Sequence, residues 1–256
     1  MRFKEEARHS LERAKECLRS ASRCVAFTGA GISVPSGIPD FRSAKTGLWA
    51  RFDPMEVASL SAFREQPEAF FNWLEPLAVN ILKAAPNPAH NALADLQKAG
   101  RVQTIITQNI DRLHQKAGAQ DVIELHGNIE LLLCLKCRCD FPLEQYQTSW
   151  LEKHIFPRCP HCGSLLKPDI VLFEEMLPAD AWNQAEYLCR NVDLILIVGT
   201  SLEVMPAASL PMEGYNHGAK LVILNRSPTP MDQIAQAVIS MDVAESLPLL
   251  AGAILS

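Results

Sequence analysis

TGAGISVPSGIPDFR, residues 28–42, follows directly on the apolar run Cys24, Val25, Ala26 and Phe27. A short apolar run that ends in small residues fits a buried parallel strand. Gly29 and Gly31 allow a tight turn there, with backbone amides able to approach a pyrophosphate at a following helix N-terminus. Gly-Ala-Gly alone is read two ways, as a dinucleotide loop or as a plain strand-to-helix turn. The third glycine of G-x-G-x-x-G is missing, with Pro35 near its place. No acidic residue stands on an obvious second strand about 20 residues on, where a dehydrogenase grips its ribose. Ser36, Gly37, Ile38, Pro39, Asp40, Phe41 and Arg42 then put two charges, an aromatic ring and helix breakers into one loop. That composition predicts a mobile loop that closes over a ligand.

Further strand-sized runs also end in polar residues. Residues 102–107 read as a strand that runs into Gln108, Asn109, Ile110, Asp111 and, further on, His114. Two amides and a carboxylate at such a strand end sit where doubly wound sheets place ligand contacts. They equally suit a cap for the next helix. Residues 122–125 form the next strand, followed by His126 and Gly127. An accessible histidine there suits a general base near neutral pH, against the alternative of a hydrogen-bonded structural histidine. Residues 193–198 read as a central strand turning at Gly199, Thr200 and Ser201, a set suited to phosphate or ribose contacts. Residues 220–224 give one more strand, leading to Asn225, Arg226 and Ser227.

Between Gly127 and the 193–198 strand lie Cys134-Leu-Lys-Cys137 and Cys159-Pro-His-Cys162, with 21 residues separating the two pairs. Two such knuckles at this spacing are a Zn(II) signature, because four thiolates close a tetrahedral shell. A closed shell leaves no position for substrate, so the metal is read as structural. Cys139 and His161 lie nearby without the knuckle spacing. A zinc ribbon by itself also suits an adaptor, but this one interrupts an α/β pattern and is expected to brace the site.

The outer segments read as helices. Leu11, Ala14 and Leu18 recur at helical spacing in residues 3–20. Residues 43–85 are helical and aromatic (Trp49, Phe52, Phe63, Phe70, Phe71, Trp73) and are expected to be cut by Pro54, Pro67 and Pro76 into short helices. They offer an aromatic core and also an apolar wall beside the site. Residues 89–98 form a helix, with His90 as a helix-start histidine. The tail over residues 238–255 reads as a short strand and a closing helix.

With 256 residues, 48% hydrophobic and 21% charged, the chain fits one large domain or one domain with an insertion. A net charge of −5 argues against general nucleic-acid binding. No apolar run approaches the roughly 18 residues of a membrane span, and residues 1–6 lack a signal-peptide core. Two Cys-x-x-Cys pairs suggest metal in a reducing setting, so a cytoplasmic location is expected.

GAGIS followed by SGIPDFR, TQNID-x-LH-x-x-AG, the His-Gly pair and GTSL-x-V-x-PA resemble, in order, the signatures of sirtuins, the NAD-dependent protein-lysine deacylases. The resemblance runs from about Cys24 to Leu250. It implies a Rossmann-like parallel sheet domain (1–42, 86–127, 169–256), a helical module (43–85) and a four-cysteine zinc module (128–168). It implies NAD+ as co-substrate, acyl-lysine proteins as substrates, release of nicotinamide and transfer of the acyl group to ADP-ribose. No membrane or stable nucleic-acid partner is implied. His126 is the implied catalytic base, with Asn109 and Asp111 ordering the reacting sugar. Gly29, Ala30, Gly31, Ser33, Ile38, Asp40, Phe41, Arg42, Gln108, Ile110, Gly199, Thr200, Ser201, Asn225, Arg226, Ser227 and, more loosely, Val243 are implied NAD contacts. Cys134, Cys137, Cys159 and Cys162 are the implied zinc ligands. Residues 163–175 resemble the strand that pairs with the substrate peptide, with Val171 and Phe173 along the acyl-lysine tunnel. Sirtuins usually have Phe-Gly-Glu there. Glu174 replaces the glycine, and it is expected to crowd the peptide or to add a charge favouring basic neighbours. Succinyl-removing relatives carry a Tyr-x-x-Arg pair that is placed here at Phe71 and Leu74, which favours acetyl or apolar acyl groups. An NAD glycohydrolase or ADP-ribosyltransferase shares the same NAD motifs. A non-catalytic NAD and zinc module is the other alternative, against which His126 and Asn109 stand.

Overall fold

The computed structural model describes residues 2–40, 47–48 and 51–256. The expected closing-loop residues Phe41 and Arg42, and Trp49 of the aromatic segment, lie outside the described residues. A helix α1 (Arg2–Ser20) leads into strand β1 (Cys24–Thr28). Helices α2 (Pro54–Val57), α3 (Leu60–Glu65), α4 (Pro67–Lys83) and α5 (Pro88–Lys98) come after it. Next come β2 (Thr104–Thr107), α6 (Leu113–Lys116) and β3 (Val122–Glu124). Strands β4 (Gly127–Cys134), β5 (Asp140–Pro142) and β6 (Leu166–Ile170) form a separate antiparallel sheet in the order β5-β4-β6. The chain finishes with α7 (Ala179–Arg190), β7 (Leu194–Val198), α8 (Leu210–Asn216), β8 (Lys220–Leu224), β9 (Ala237–Ile239) and α9 (Val243–Leu255).

The large sheet runs β3-β2-β1-β7-β8-β9, parallel throughout. Its central strands β1, β2 and β7 are buried at every position. This explains their unbroken apolar runs, since a strand covered on both faces has no polar side to alternate. The order reverses between β1 and β7. In open α/β sheets that switch point opens a crevice beyond the strand C-termini. Both expected Gly-containing turns, after Thr28 and after Val198, lie there.

Two cores cover the faces of this sheet. One packs α1, α5 and α9 against it, through residues such as Leu18, Leu93 and Leu250. The other packs residues of α7 and α8 such as Ala185 and Leu210 against Phe27, Ile195 and Ile223. A third core lies apart from the sheet. Phe70, Phe71, Leu74 and Ile81 of α4 join Leu132 and Leu166 of the small sheet around the fully buried Trp150. The helical and cysteine-bearing segments therefore share one hydrophobic interior.

The prolines behave in two ways. Pro54, Pro67 and Pro88 occupy first-turn positions, where a missing N–H costs nothing. Pro76 does not divide the helix as its sequence context predicts, because α4 continues through it for 17 residues. The buried stripe Phe70, Leu74, Leu77, Ala78 and Ile81 runs past the proline on both sides, and that packing outweighs the one lost helical hydrogen bond.

Candidate functional site

The crevice at the switch point opens into a cavity of about 640 Å³. Its floor is a close approach of two turns. Gly29 N–H donates to Val198 O at 3.3 Å, and Gly31 N–H donates to Gly199 O at 2.8 Å. A Cβ on Gly31 would fall 2.7 Å from Gly199 O, and one on Gly199 (φ +62°) would fall 2.3 Å from Ile32 N. These glycines are thus required for backbone-to-backbone packing. The amides of Gly29 and Gly31 are used within the fold. The chain continues from Gly29 as a 3-10 turn, Ala30–Ile32, rather than as an α-helix N-terminus.

Next to this turn is a buried polar network. The Ser33 hydroxyl donates to Asp111 Oδ2 at 2.6 Å and accepts from Asn109 Nδ2 at 3.1 Å. Asp111 Oδ1 accepts Leu113 N–H at 2.9 Å at the start of α6. Burial pushes the Asp111 carboxyl up, against the lowering effect of these hydrogen bonds. Since the Ser33 proton goes to Asp111, its 3.5 Å contact with His90 Nε2 requires His90 to be the donor. That agrees with His90 Nδ1 accepting Asn87 N–H at 3.3 Å as part of a capping box that starts α5. Desolvation holds His90 down at about 4 and His114 at about 3, so both rings are neutral near pH 7. His114 Nε2 lies 3.0 Å from Thr28 Oγ1. Gln108 reaches across the switch point, with Nε2 3.1 Å from Thr200 Oγ1.

His126 is half-buried at the end of the β3 segment and lines the cavity. Its Nδ1 lies 2.8 Å from Gln108 O. A carbonyl only accepts, so Nδ1 carries the proton in the neutral ring and Nε2 holds the lone pair. A backbone contact therefore selects the tautomer a general base needs. Gly127 takes φ +69°, and a Cβ there would fall 2.0 Å from Asp169 O. This glycine lets the end of β6 come alongside, where Val171 N–H donates to His126 O at 2.9 Å. The His-Gly pair thus joins the histidine to residues 171–175.

That segment is anchored by a buried lysine not singled out in the sequence. Lys167 Nζ donates to Ile170 O at 2.6 Å and Pro168 O at 3.1 Å, and it pairs with Glu175 Oε2 at 2.9 Å. The same Glu175 oxygen accepts Leu172 N–H at 2.9 Å. The only sequence signal was a lysine inside a strand-like apolar run, with Glu175 eight positions on. The Glu174 carboxylate is not directed solely to a peptide, because Oε2 accepts Ser61 N–H at 2.8 Å.

Every described candidate contact lines this one cavity: Gly29, Ala30, Gly31, Ser33, Ile38 and Asp40 from the first loop, and Gln108 to Asp111 from the second. Gly199, Thr200 and Ser201, then Asn225, Arg226, Ser227 and Val243, line the end nearer β8. Val171, Phe173 and Glu174 line the cavity too, as do Trp73, Leu77 and Ile81 of α4. The positions matched to the acyl-reading pair, Phe71 and Leu74, do not line the cavity. Both are fully buried in the third core, and the α4 face on the cavity is the apolar set Trp73, Leu77 and Ile81. Asp242 was also missed; it caps α9 through Ala244 N–H at 2.8 Å and pairs with Arg226 at the cavity edge.

The four knuckle cysteines gather with all Sγ atoms within 4.8 Å of one another. Cys134 and Cys162 lie 3.4 Å apart and Cys137 and Cys159 3.5 Å apart. These separations exceed the ~2 Å of a disulfide and approach the roughly 3.8 Å edge of a tetrahedron with 2.3 Å Zn–S bonds. The donor set fits zinc, and His161 and Cys139 are not part of it.

The Sir2 family model matches residues 29–206. An NAD-dependent protein deacetylase of Caldivirga maquilingensis is 43% identical over 93% of this chain and 91% of its own length. An NAD-dependent protein deacylase of Pyrococcus furiosus is 42% identical over 94% of this chain and 96% of its own. A solved Sir2–p53 peptide–NAD+ complex superposes with a TM-score of 0.85 at 40% identity, covering 94% of this chain and 97% of that one. On these matches and this site, the chain belongs to the Sir2 family.

Proposed function

We infer that the protein is an NAD-dependent protein-lysine deacylase. The observation that supports this reading is the contact of His126 Nδ1 with Gln108 O at 2.8 Å, which leaves Nε2 with the lone pair in a ring that lines the switch-point cavity. The Sir2 relatives from Caldivirga and Pyrococcus are an NAD-dependent deacetylase and deacylase.

Bound NAD+ would supply a ribose whose nicotinamide-bearing carbon is attacked by the acyl oxygen as nicotinamide leaves, and one of whose hydroxyls carries the acyl group once water has freed the lysine amine. The cavity volume, the glycine-lined floor and the convergent amides of Gln108 and Asn109 fit such a ligand. In this reading Gly29 to Ser33 and Thr200 to Ser201 hold the phosphate and nicotinamide ribose side. Asn225 to Ser227 and Val243 hold the adenosine. Asn109 is oriented by Ser33, and Ser33 in turn by Asp111, so Asp111 acts through its neighbours. His126 takes a proton from a ribose hydroxyl at Nε2. Asp40, Phe41 and Arg42 exclude water, and Ile38 contacts NAD+. The acyl-lysine enters beside Val171 and Phe173, and the wall of Trp73, Leu77 and Ile81 favours acetyl or a longer apolar acyl group over a succinyl group, which needs a fixed cation. Zinc held by Cys134, Cys137, Cys159 and Cys162 fixes the turn-rich end of the small sheet and takes no part in the reaction.

A cytoplasmic setting belongs to the same proposal, supported by eight free cysteines of which four form a thiolate cage. No helix among the described residues is long and apolar enough to cross a membrane. The net charge of −5 supports the absence of a stable nucleic-acid partner.

The test is His126→Ala. Deacylation of an acetyl-lysine peptide is expected to fall by at least roughly a hundredfold, the scale of a general base, while calorimetry still detects NAD+ binding. Retained turnover removes His126 from its assigned role.

A further inference from the structure

Glu174 stands at φ +72°, a left-handed conformation that side-chain-bearing residues seldom adopt. Its neighbours on one side belong to the helical segment. Phe173 N–H donates to Ala58 O at 3.0 Å, and Leu60 N–H donates to Phe173 O at 3.0 Å, giving a parallel bridge between Ser59 and Phe173. The Glu174 carboxylate extends this pairing by one more step, accepting Ser61 N–H in the first turn of α3 at 2.8 Å. The α3 end is itself well formed, since the Ser59 hydroxyl accepts Ala62 N–H at 3.0 Å and donates to Met55 O at 2.7 Å. On its other side the same segment is held to the His126 strand and to Lys167. Ala58, Phe173 and Glu174 all line the cavity.

We propose that Glu174 is a positioning residue for the acyl-peptide, its carboxylate fastening residues 171–175 to the first turn of α3 and so setting the width of the peptide side of the cavity. This rests on the reading that the cavity accepts an acyl-lysine peptide. The Ser61 hydroxyl, then the Ser61 amide and the charge of Arg64, hold the carboxyl below its usual range, so the acceptor is ionised at neutral pH. The bond joins two segments that both face the cavity. Among the described residues it touches neither the loop at 29–33 nor the turn at 199–201. Its loss therefore alters the peptide side and leaves the nucleotide side unchanged. The left-handed backbone aims the side chain at α3, which gives a physical reason for a glutamate in a conformation better suited to glycine.

The experiment compares Glu174→Ala, Glu174→Gln and Glu174→Gly in the full chain, with an acetyl-lysine peptide of neutral flanks and one of basic flanks. For Glu174→Ala and Glu174→Gly, the peptide KM is expected to rise about three- to tenfold, the range of one lost ordinary hydrogen bond at an exposed site. The KM for NAD+ stays unchanged and kcat stays within about twofold, because no reacting group is touched. Glu174→Gln, which keeps an acceptor oxygen, recovers most of the loss with both peptides. Amide exchange in the segment containing Ser61 is faster in Glu174→Ala than in the parent. A wild-type KM in Glu174→Ala or Glu174→Gly overturns the proposal, as does an equal rise in the KM for NAD+. A loss in Glu174→Gln confined to the basic peptide shows the residue acting as a charge on the peptide, and also overturns it. If the parent turns over no acetyl-peptide, the deacylase reading fails separately, and unchanged exchange at Ser61 is then the result that refutes the fastening.

Discussion

Replacing Gly127 by alanine tests the link between His126 and residues 171–175. The new Cβ would sit 2.0 Å from Asp169 O and 2.9 Å from Asp169 C, at φ +69°. The left-handed conformation costs an L-residue about 1–2 kcal/mol. Relieving the contact needs a movement of roughly 1 Å or more, since real Cβ atoms essentially never come closer than 3.0 Å to such a neighbour. The group in the way is backbone of a strand tied by Lys167, so it does not swing aside. The shift strains the bond from Val171 N–H to His126 O, worth about 1 kcal/mol. These two costs total about 2–3 kcal/mol, which for a chain of this size lowers Tm by roughly 4–12 °C. Differential scanning calorimetry reads this loss, and steady-state assays with an acetyl-peptide should show turnover falling with it. A Gly127→Ala protein with Tm within about 2 °C of the parent and unchanged kcat/KM would refute the argument that this glycine sets the approach of β6 to His126.

The zinc module, the buried histidines and Lys167 each give a further expected outcome. Chelation should remove one zinc per chain by elemental analysis, expose four thiols and lower Tm; full stability without metal would contradict a structural role. Acid titration should expose the buried histidines. Their folded pKa values of about 4 and 3 lie below the ordinary 6.5, so the unfolded chain binds more protons between these limits. Stability is then fully present above pH 6.5 and falls with pH at up to about 1.4 kcal/mol per histidine per unit, partly offset by Asp111, whose raised pKa has the opposite effect. His114→Leu should make that slope shallower in urea-unfolding series, and an unchanged slope would mean His114 is not buried neutral. Lys167→Met strands the Glu175 carboxylate, which is partly exposed, at a cost of about 2 kcal/mol read by denaturant unfolding, with Glu175→Gln recovering part in the double variant.

Much of the sheet was legible because its strands are covered on both faces and appear as unbroken apolar runs ending in Gly, Asn or His. Residues 220–224 coincide with β8, and the cysteine spacing matches the four-sulfur cluster. The illegible features depend on contacts between distant segments. Nothing near Gly29 and Gly31 announces that their amides are used by residues 198 and 199. The apolar run through Pro76 is the same whether the helix breaks or continues, and packing in the third core decides it. The helical period of α4 offers several faces, so Phe71 and Leu74 could be separated from Trp73, Leu77 and Ile81 only once α4 was seen against the small sheet. Lys167 was hidden because a lysine in a strand is ordinarily solvated, and its partner Glu175 meets it only after the chain turns at residues 171–175.

The central claim is tested most directly by mass spectrometry of an acetyl-lysine peptide incubated with the protein, with and without NAD+. The account predicts loss of the acetyl group only with NAD+, accompanied by equal amounts of nicotinamide and O-acetyl-ADP-ribose. Nicotinamide release with the peptide untouched would contradict it and indicate NAD+ hydrolysis or ADP-ribosyl transfer in this same cavity.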